Sequence, residues 1–293
     1  MLSFIEKNTQ REKEKLNRWA REHNDANPVP GDVETELDIP YGSQSWARMD
    51  LYRPKGKAGP LPVIVNFHGG GLLMGSKELN RPLCAQMAQA GYLVFCPEYP
   101  LVPDVTVYDQ YAAAAAAMER VNGLLEEKGG CRDRVYLVGD SAGAYLMVYS
   151  VAMQRCPSMA KAAGVTPSGL PVKALGLMSG MFYTRRHDQI GIFLTGDFYG
   201  KGWRRHPFRP YTNPEHPEIL KSLPPCYFIT AGADNLRHYT TSYYEAAKNA
   251  GISCKLEDLP NDPRLVHAFC AMYPEYPESR QVISNMLSFF ETC

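Results

Sequence analysis

Val135-Tyr-Leu-Val-Gly139-Asp140-Ser141-Ala142-Gly143 is an apolar run of strand character that passes, within one residue, into an alanine-rich helical pattern. Ser141 falls on the reversal between the two. A turn that tight brings strand and helix backbones together, and residues without side chains at 139 and 143 permit the approach. The G-x-S-x-G spacing therefore predicts a strand, an elbow that presents a serine hydroxyl at its apex, and a helix beginning at Ala142.

The pattern around this elbow repeats its form. Leu61 to Phe67 is almost wholly apolar and rich in β-branched residues, as is Tyr92 to Cys96, which suits strands buried on both faces. Helical stretches follow at 81–90 and, with many alanines, at 109–125; the elbow strand (135–138) leads into a helix at 142–154 and a strand at 173–178. Alternation of this kind calls for an α/β fold, a parallel sheet with crossover helices. Two extended segments, 33–39 and 45–52, precede it and read as a hairpin with Tyr41-Gly42-Ser43 as its turn. After an aperiodic stretch from Phe182 to about Pro224, the alternation resumes with strands at 226–230 and 253–259 and helices at 240–250 and 278–290. Long segments without periodicity are commonly functional lids. At the N-terminus Leu2, Phe4, Ile5, Leu16, Trp19 and Ala20 fall on one side of a helical projection, either a surface helix or a lid helix. The organisation read from these features is an N-terminal cap at 1–30, a core at 31–182, a cap insertion at 183–222 and the remainder of the core at 223–293.

Lysine plus arginine equals aspartate plus glutamate at 31 each, so the net charge offers nothing to attract a nucleic acid or an acidic membrane. The eight cysteines are scattered singly, without metal-ligand spacing, and read as reduced thiols; no metal is expected. No apolar run approaches the roughly 20 residues that span a bilayer, and the charged N-terminus lacks a secretory apolar region. These features point to a cytoplasmic protein. They leave the oligomeric state open, a homodimer included.

Reactive groups in an open parallel sheet converge at the carboxyl ends of the strands. Three further features lie there. His68-Gly-Gly-Gly71 follows the first buried strand, and its backbone N–H groups, together with that of Ala142, suit a developing oxyanion. Asp234 follows the strand ending near Thr230, with Asp258 and Asp262 as rivals for the same acidic role. His267, one of seven histidines, lies in the loop before the last helix. The order Ser141, Asp234, His267 matches the serine, acid, histidine order of α/β-hydrolases. Leu72, Leu73, Met74, Phe182 and Tyr183 are either walls of an acyl pocket or plain core, and Arg204, Arg205 and Arg209 form either a solvated face or a site for an acidic substrate.

Taken together, His68-Gly-Gly-Gly71 with Gly75, Tyr99-x-Leu-x-Pro103, Gly139-Asp-Ser-Ala-Gly143, Leu223-Pro-Pro225, Asp234-x-Leu236 and His267-x-Phe269 resemble the hormone-sensitive-lipase-like family of α/β-hydrolases along nearly the whole chain. The resemblance implies an α/β-hydrolase fold, a mostly parallel central sheet flanked by helices, with a helical cap. It implies Ser141 as nucleophile, His267 as base, Asp234 as its orienter, and Gly69, Gly70 and Ala142 as oxyanion donors, with no cofactor. The chain departs from the family in having Ala268 where glycine is usual, Asn235 where proline is usual, Pro100 for arginine, and Tyr108 to Gln110 for Phe-Pro-Ala.

The expected activity is that of a serine carboxylesterase acting on small acyl esters of short to medium chain length. The same groups also serve an amide or N-formyl hydrolase. A third reading is a ligand-binding receptor on a hydrolase scaffold, although the plant gibberellin receptors that resemble this family lack the histidine, which this chain keeps at 267.

Overall fold

The computed structural model describes residues 4–293, with side chains described from residue 10 onward, so Leu2 and the side chains of Phe4 and Ile5 lie outside the described residues. In chain order the elements are α1 (Phe4–Ala26), β1 (Val33–Pro40), β2 (Arg48–Pro54), β3 (Leu61–Phe67), α2 (Arg81–Gln89), β4 (Leu93–Pro97), α3 (Val107–Lys128), β5 (Gly130–Asp140), α4 (Ala142–Arg155), α5 (Pro157–Ala163) and β6 (Val172–Met178). Three short helices follow, α6 (Gln189–Phe193), α7 (Thr195–Tyr199) and α8 (Pro217–Leu220). The chain ends with β7 (Cys226–Ala231), α9 (Arg237–Asn249), β8 (Cys254–Leu259), α10 (Phe269–Met272) and α11 (Pro277–Phe290).

All eight strands form one sheet in the order β1-β2-β4-β3-β5-β6-β7-β8. β2 runs antiparallel to both β1 and β4, and every other neighbouring pair is parallel. The α/β-hydrolase arrangement expected from the sequence is the observed one. Its centre is covered on both sides because successive residues of a strand point to opposite faces. Val63, Val65 and Phe67 of β3 join one apolar cluster with residues of α3, α4 and α9, while Ile64 joins a second with residues of α2 and α11.

The strand and helix expectations hold with shifted ends. β5 starts at Gly130, five residues ahead of the apolar run, because its polar first half still pairs at the sheet margin through Gly130 opposite Leu61. α9 starts at Arg237, three residues earlier than its hydrophobic pattern indicates, and the Arg237 N–H is held by the Asp234 carbonyl. α5 and α10 have no counterpart in the sequence reading; at seven and four residues they are too short to display a helical period.

α1 lies across two loops that matter below. Asn24 Nδ2 donates to the Glu78 carbonyl at 3.0 Å, and His23 and Trp19 pack on the Tyr273 ring at 5.8 and 5.7 Å. Residues 183–222, within the stretch from Phe182 to about Pro224 expected to be aperiodic, form short helices and turns wrapped over α3 and α4. Phe208 packs on Tyr108, Tyr111 and Tyr149, and the Tyr145 and Tyr199 hydroxyls are hydrogen-bonded at 2.9 Å.

Candidate active site

The elbow forms where β5 gives way to α4. Ser141 is held at φ 50°, ψ −112°, a conformation uncommon for a residue with a side chain. Its N–H donates to the Met178 carbonyl at 2.9 Å and its carbonyl accepts the Met181 N–H at 3.0 Å, so the end of β6 and the residues just after it lock the turn on one side. On the other side the two glycines meet β3. A Cβ on Gly143 would stand 1.9 Å from the Phe67 carbonyl oxygen, and one on Gly139 would stand 2.8 Å from the same atom.

Ser141, Asp234 and His267, far apart in sequence, come together at this turn. His267 Nε2 lies 2.8 Å from Ser141 Oγ, and Nδ1 lies 2.7 Å from Asp234 Oδ1. A carboxylate accepts only, so the ring proton sits on Nδ1 and the Nε2 lone pair faces the serine hydroxyl. Asp234 also accepts from the Leu236 N–H at 2.8 Å and from Thr230 Oγ1 at 2.9 Å. Burial pushes its carboxyl upward, but the hydrogen bond from His267 and the donors around it outweigh that and hold it below its ordinary value. The rival acids are not brought to the histidine. Asp258 pairs with Arg237 Nε at 2.8 Å and Asp262 with Arg264 at 2.7 Å, both on the outside.

The glycine loop requires a correction. The Gly69 N–H, expected to face an oxyanion, donates instead to Asp140 Oδ1 at 3.1 Å, so it is already spent. Asn80 Nδ2 donates to the same oxygen at 2.9 Å and also reaches Asn66 Oδ1 at 2.8 Å. Burial pushes the Asp140 carboxyl above its ordinary range, against these donors. Among the described residues the N–H groups of Gly70, Gly71 and Ala142 have no protein partner, and a Cβ on Gly71 would meet nothing within 4 Å. The glycine N–H groups left free at this turn are thus those of Gly70 and Gly71, not that of Gly69. His68 shapes the loop rather than reacting: its buried ring stacks on Tyr99 at 4.2 Å, with Nδ1 2.7 Å from the Gly69 carbonyl and Nε2 3.1 Å from Glu98 Oε1.

The expected pocket walls divide. Leu72 and Phe182 are wholly buried core, correcting their assignment as substrate contacts: Leu72 joins the apolar cluster and Phe182 stacks on Tyr243 at 4.4 Å. Each side chain is filled against its own neighbours and has no free face. Leu73 and Met74 remain half-buried beside the glycines. Tyr183 lines a cleft of about 320 Å³ with Arg185, Arg186 and Glu215, whose walls include none of Ser141, Asp234 or His267. Arg204, Arg205 and Arg209 are exposed and, among the described residues, in no ion pair. The residues missed by sequence reasoning are Asp140, Asn80 and Gly71. The aspartate inside the G-D-S-A-G run was a signal for the first, since a charged residue at a buried strand end needs partners.

No helix among the described residues is long and apolar enough to cross a membrane. A family model of the α/β-hydrolase fold matches residues 64–271. A probable isoprenylcysteine alpha-carbonyl methylesterase of Arabidopsis thaliana is 27% identical over 237 residues, 74% of this chain and 48% of the relative, so the chain spans about half its length. A versiconal hemiacetal acetate esterase of Dothistroma septosporum is 26% identical over 89% of this chain and 82% of the relative. Among solved structures, esterase B from Lactobacillus Rhamnosis superposes with a TM-score of 0.89 at 22% identity, covering 97% of this chain and 93% of that one, and has the same fold.

Proposed function

This chain belongs to the α/β-hydrolase fold family, in its hormone-sensitive-lipase-like group, and from that premise we propose that it is an ester hydrolase that cleaves small carboxylic esters through an acyl-enzyme on Ser141. The observation that carries the reading is the contact of His267 Nε2 with Ser141 Oγ at 2.8 Å, with Asp234 behind the ring.

In this reaction Ser141 Oγ bonds to the ester carbonyl carbon as its proton passes to His267 Nε2. The ionised Asp234 stabilises the imidazolium that results. Negative charge moving onto the carbonyl oxygen meets the N–H groups of Gly70, Gly71 and Ala142, each worth about 2.7–4 kcal/mol at such a position. Collapse of the tetrahedral species breaks the bond to the alcohol oxygen, which leaves with the proton from Nε2. Water then repeats the sequence on the acyl-enzyme, and the carboxylic acid departs. The steps call for no metal or organic cofactor.

Short to medium acyl chains are favoured by the solid packing of Leu72 and Phe182, which leaves Leu73 and Met74 as the apolar side chains beside the glycine loop. One relative is named as an acetate esterase, acetate being a short acyl group. We assign α1 and residues 183–222 to a cap over the site. Cys226 and Cys254, register partners on adjacent strands and both free, suit a reducing compartment, and we place the protein in the cytoplasm.

A fluorophosphonate probe tests the reading. Wild-type protein is expected to be labelled, and Ser141→Ala to resist labelling and to lose hydrolysis of p-nitrophenyl esters of graded chain length. Labelling of Ser141→Ala at the wild-type rate would place the nucleophile elsewhere, and faster turnover of matched amides than esters would favour an amidase.

A further inference from the structure

Among the described residues, five residues other than glycine have positive φ: Asp38, Leu72, Ser141, Ser179 and Ala268. Strain of this kind persists where surrounding contacts over-determine it, commonly near functional groups. Two of the five, Ser179 and Ala268, are bonded to each other and have no part in the reaction described above. Ser179 follows β6 directly at φ 48°, wholly buried, with its N–H fixed to the Ile229 carbonyl at 2.8 Å. Its Oγ accepts the N–H of Ala268 at 3.0 Å, and Ala268, at φ 56°, is the residue that follows His267.

We propose that Ser179 is a positioning residue, whose hydroxyl anchors the loop carrying His267 to the end of β6. Ser179 also stands among the groups that hold the Asp234 carboxyl below its ordinary value. One hydroxyl thus fixes the backbone of the loop that brings His267 onto Asp234. This role also accounts for an alanine at 268. A residue with a Cβ is disfavoured in the left-handed region, and the bond to Ser179 holds it there.

The inference rests on the serine-hydrolase reading for its kinetic consequence, but not for its spectroscopic one. Two variants separate the hydroxyl from the backbone: Ser179→Ala removes the hydroxyl and keeps the strain, while Ser179→Gly removes both and relieves the left-handed residue. In both, kcat for a p-nitrophenyl ester is expected to fall about tenfold or more, with KM changing less than about twofold, as for a buried backbone N–H left without its acceptor beside the general base. Ser179→Gly is expected to melt no lower than Ser179→Ala. The low-field proton resonance of His267 Nδ1–H, bonded to Asp234, is expected to broaden in both variants as the ring loosens. A glycine variant with wild-type kcat, or a resonance unchanged in both variants, would overturn the proposal. If wild-type protein hydrolysed no ester, the resonance alone would decide, and the function would fail separately from the positioning role.

Discussion

The carboxylate of Asp140 accepts the backbone N–H of Gly69 at 3.1 Å across 71 residues of chain, joining the nucleophile strand to the glycine loop before it. Asn80 braces the same oxygen, so the residue beside Ser141 sets where the next glycine N–H groups point. Asp140→Asn retains an acceptor oxygen and is expected to keep most of the activity. Asp140→Ala strands two buried donors and is expected to lower kcat on p-nitrophenyl esters by about a hundredfold, the loss seen when one oxyanion donor is removed. Equal activities for the two variants would remove the loop-positioning role.

Asp234 is expected to dominate its rivals. Replacing the buried acid behind a triad histidine by asparagine costs about 10⁴ in kcat through the wrong ring tautomer. Asp234→Asn is expected to approach that loss, whereas Asp258→Asn and Asp262→Asn break only outer ion pairs with Arg237 and Arg264 and are expected to stay within about twofold of wild type. Steady-state rates of the three variants provide the check.

The two buried aspartates carry opposite pH signatures. Asp234 is lowered from 3.8 in the folded protein, so the unfolded chain binds the proton more tightly, and the stability it contributes is present above 3.8 and lost as pH falls through the folded value. Asp140 is raised from 3.8, so the folded protein binds the proton more tightly, and stability is lost as pH rises from 3.8 through its folded value. Melting curves against pH are expected to show Asp140→Asn gaining on wild type as pH rises through that window. The deficit of Asp234→Asn is expected to shrink as pH drops below 3.8.

The elbow glycines differ from glycines in open turns. Gly143→Ala drives a Cβ to 1.9 Å from the Phe67 oxygen, with backbone on both sides, and is expected to cost more than about 4 kcal/mol or prevent folding. Gly164→Ala, at φ +70° with nothing within 4 Å, is expected to cost only the left-handed penalty of about 1–2 kcal/mol. Chemical denaturation of the two variants distinguishes the effects.

Lys77, just beyond the glycine loop, is largely buried and donates from Nζ to Asp50 at 2.6 Å, with Asp38 at 3.1 Å. Lys77→Met leaves the buried Asp50 charge without its cation, a change expected to cost about 3–5 kcal/mol. Adding Asp50→Asn is expected to restore much of it, measured by denaturant midpoint. Additive losses in the double variant would refute the coupling.

Much of this molecule was legible in one dimension because the relevant physics is local or periodic. β3 was read at its true limits, 61 to 67, since a strand covered on both faces is apolar without interruption. The elbow was legible because Gly139 and Gly143 are demanded by the turn itself, and the order of Ser141, Asp234 and His267 follows from the order of the strands that carry them. What the sequence could not supply was the allocation of each group among competing partners. Gly69, Gly70 and Gly71 are identical as residues, and only the folded position of Asp140 decides which N–H is spent. Leu72 and Leu73 are identical too, yet one is sealed in the core and its neighbour is half-buried by the loop. The strain at Ser179 and Ala268 likewise has no linear signature, because it arises where β6 and the His267 loop meet. Covalent order and hydrophobic period settle which elements exist; which atom bonds to which is a property of packing, where every donor and every cavity is contested by residues distant in the chain.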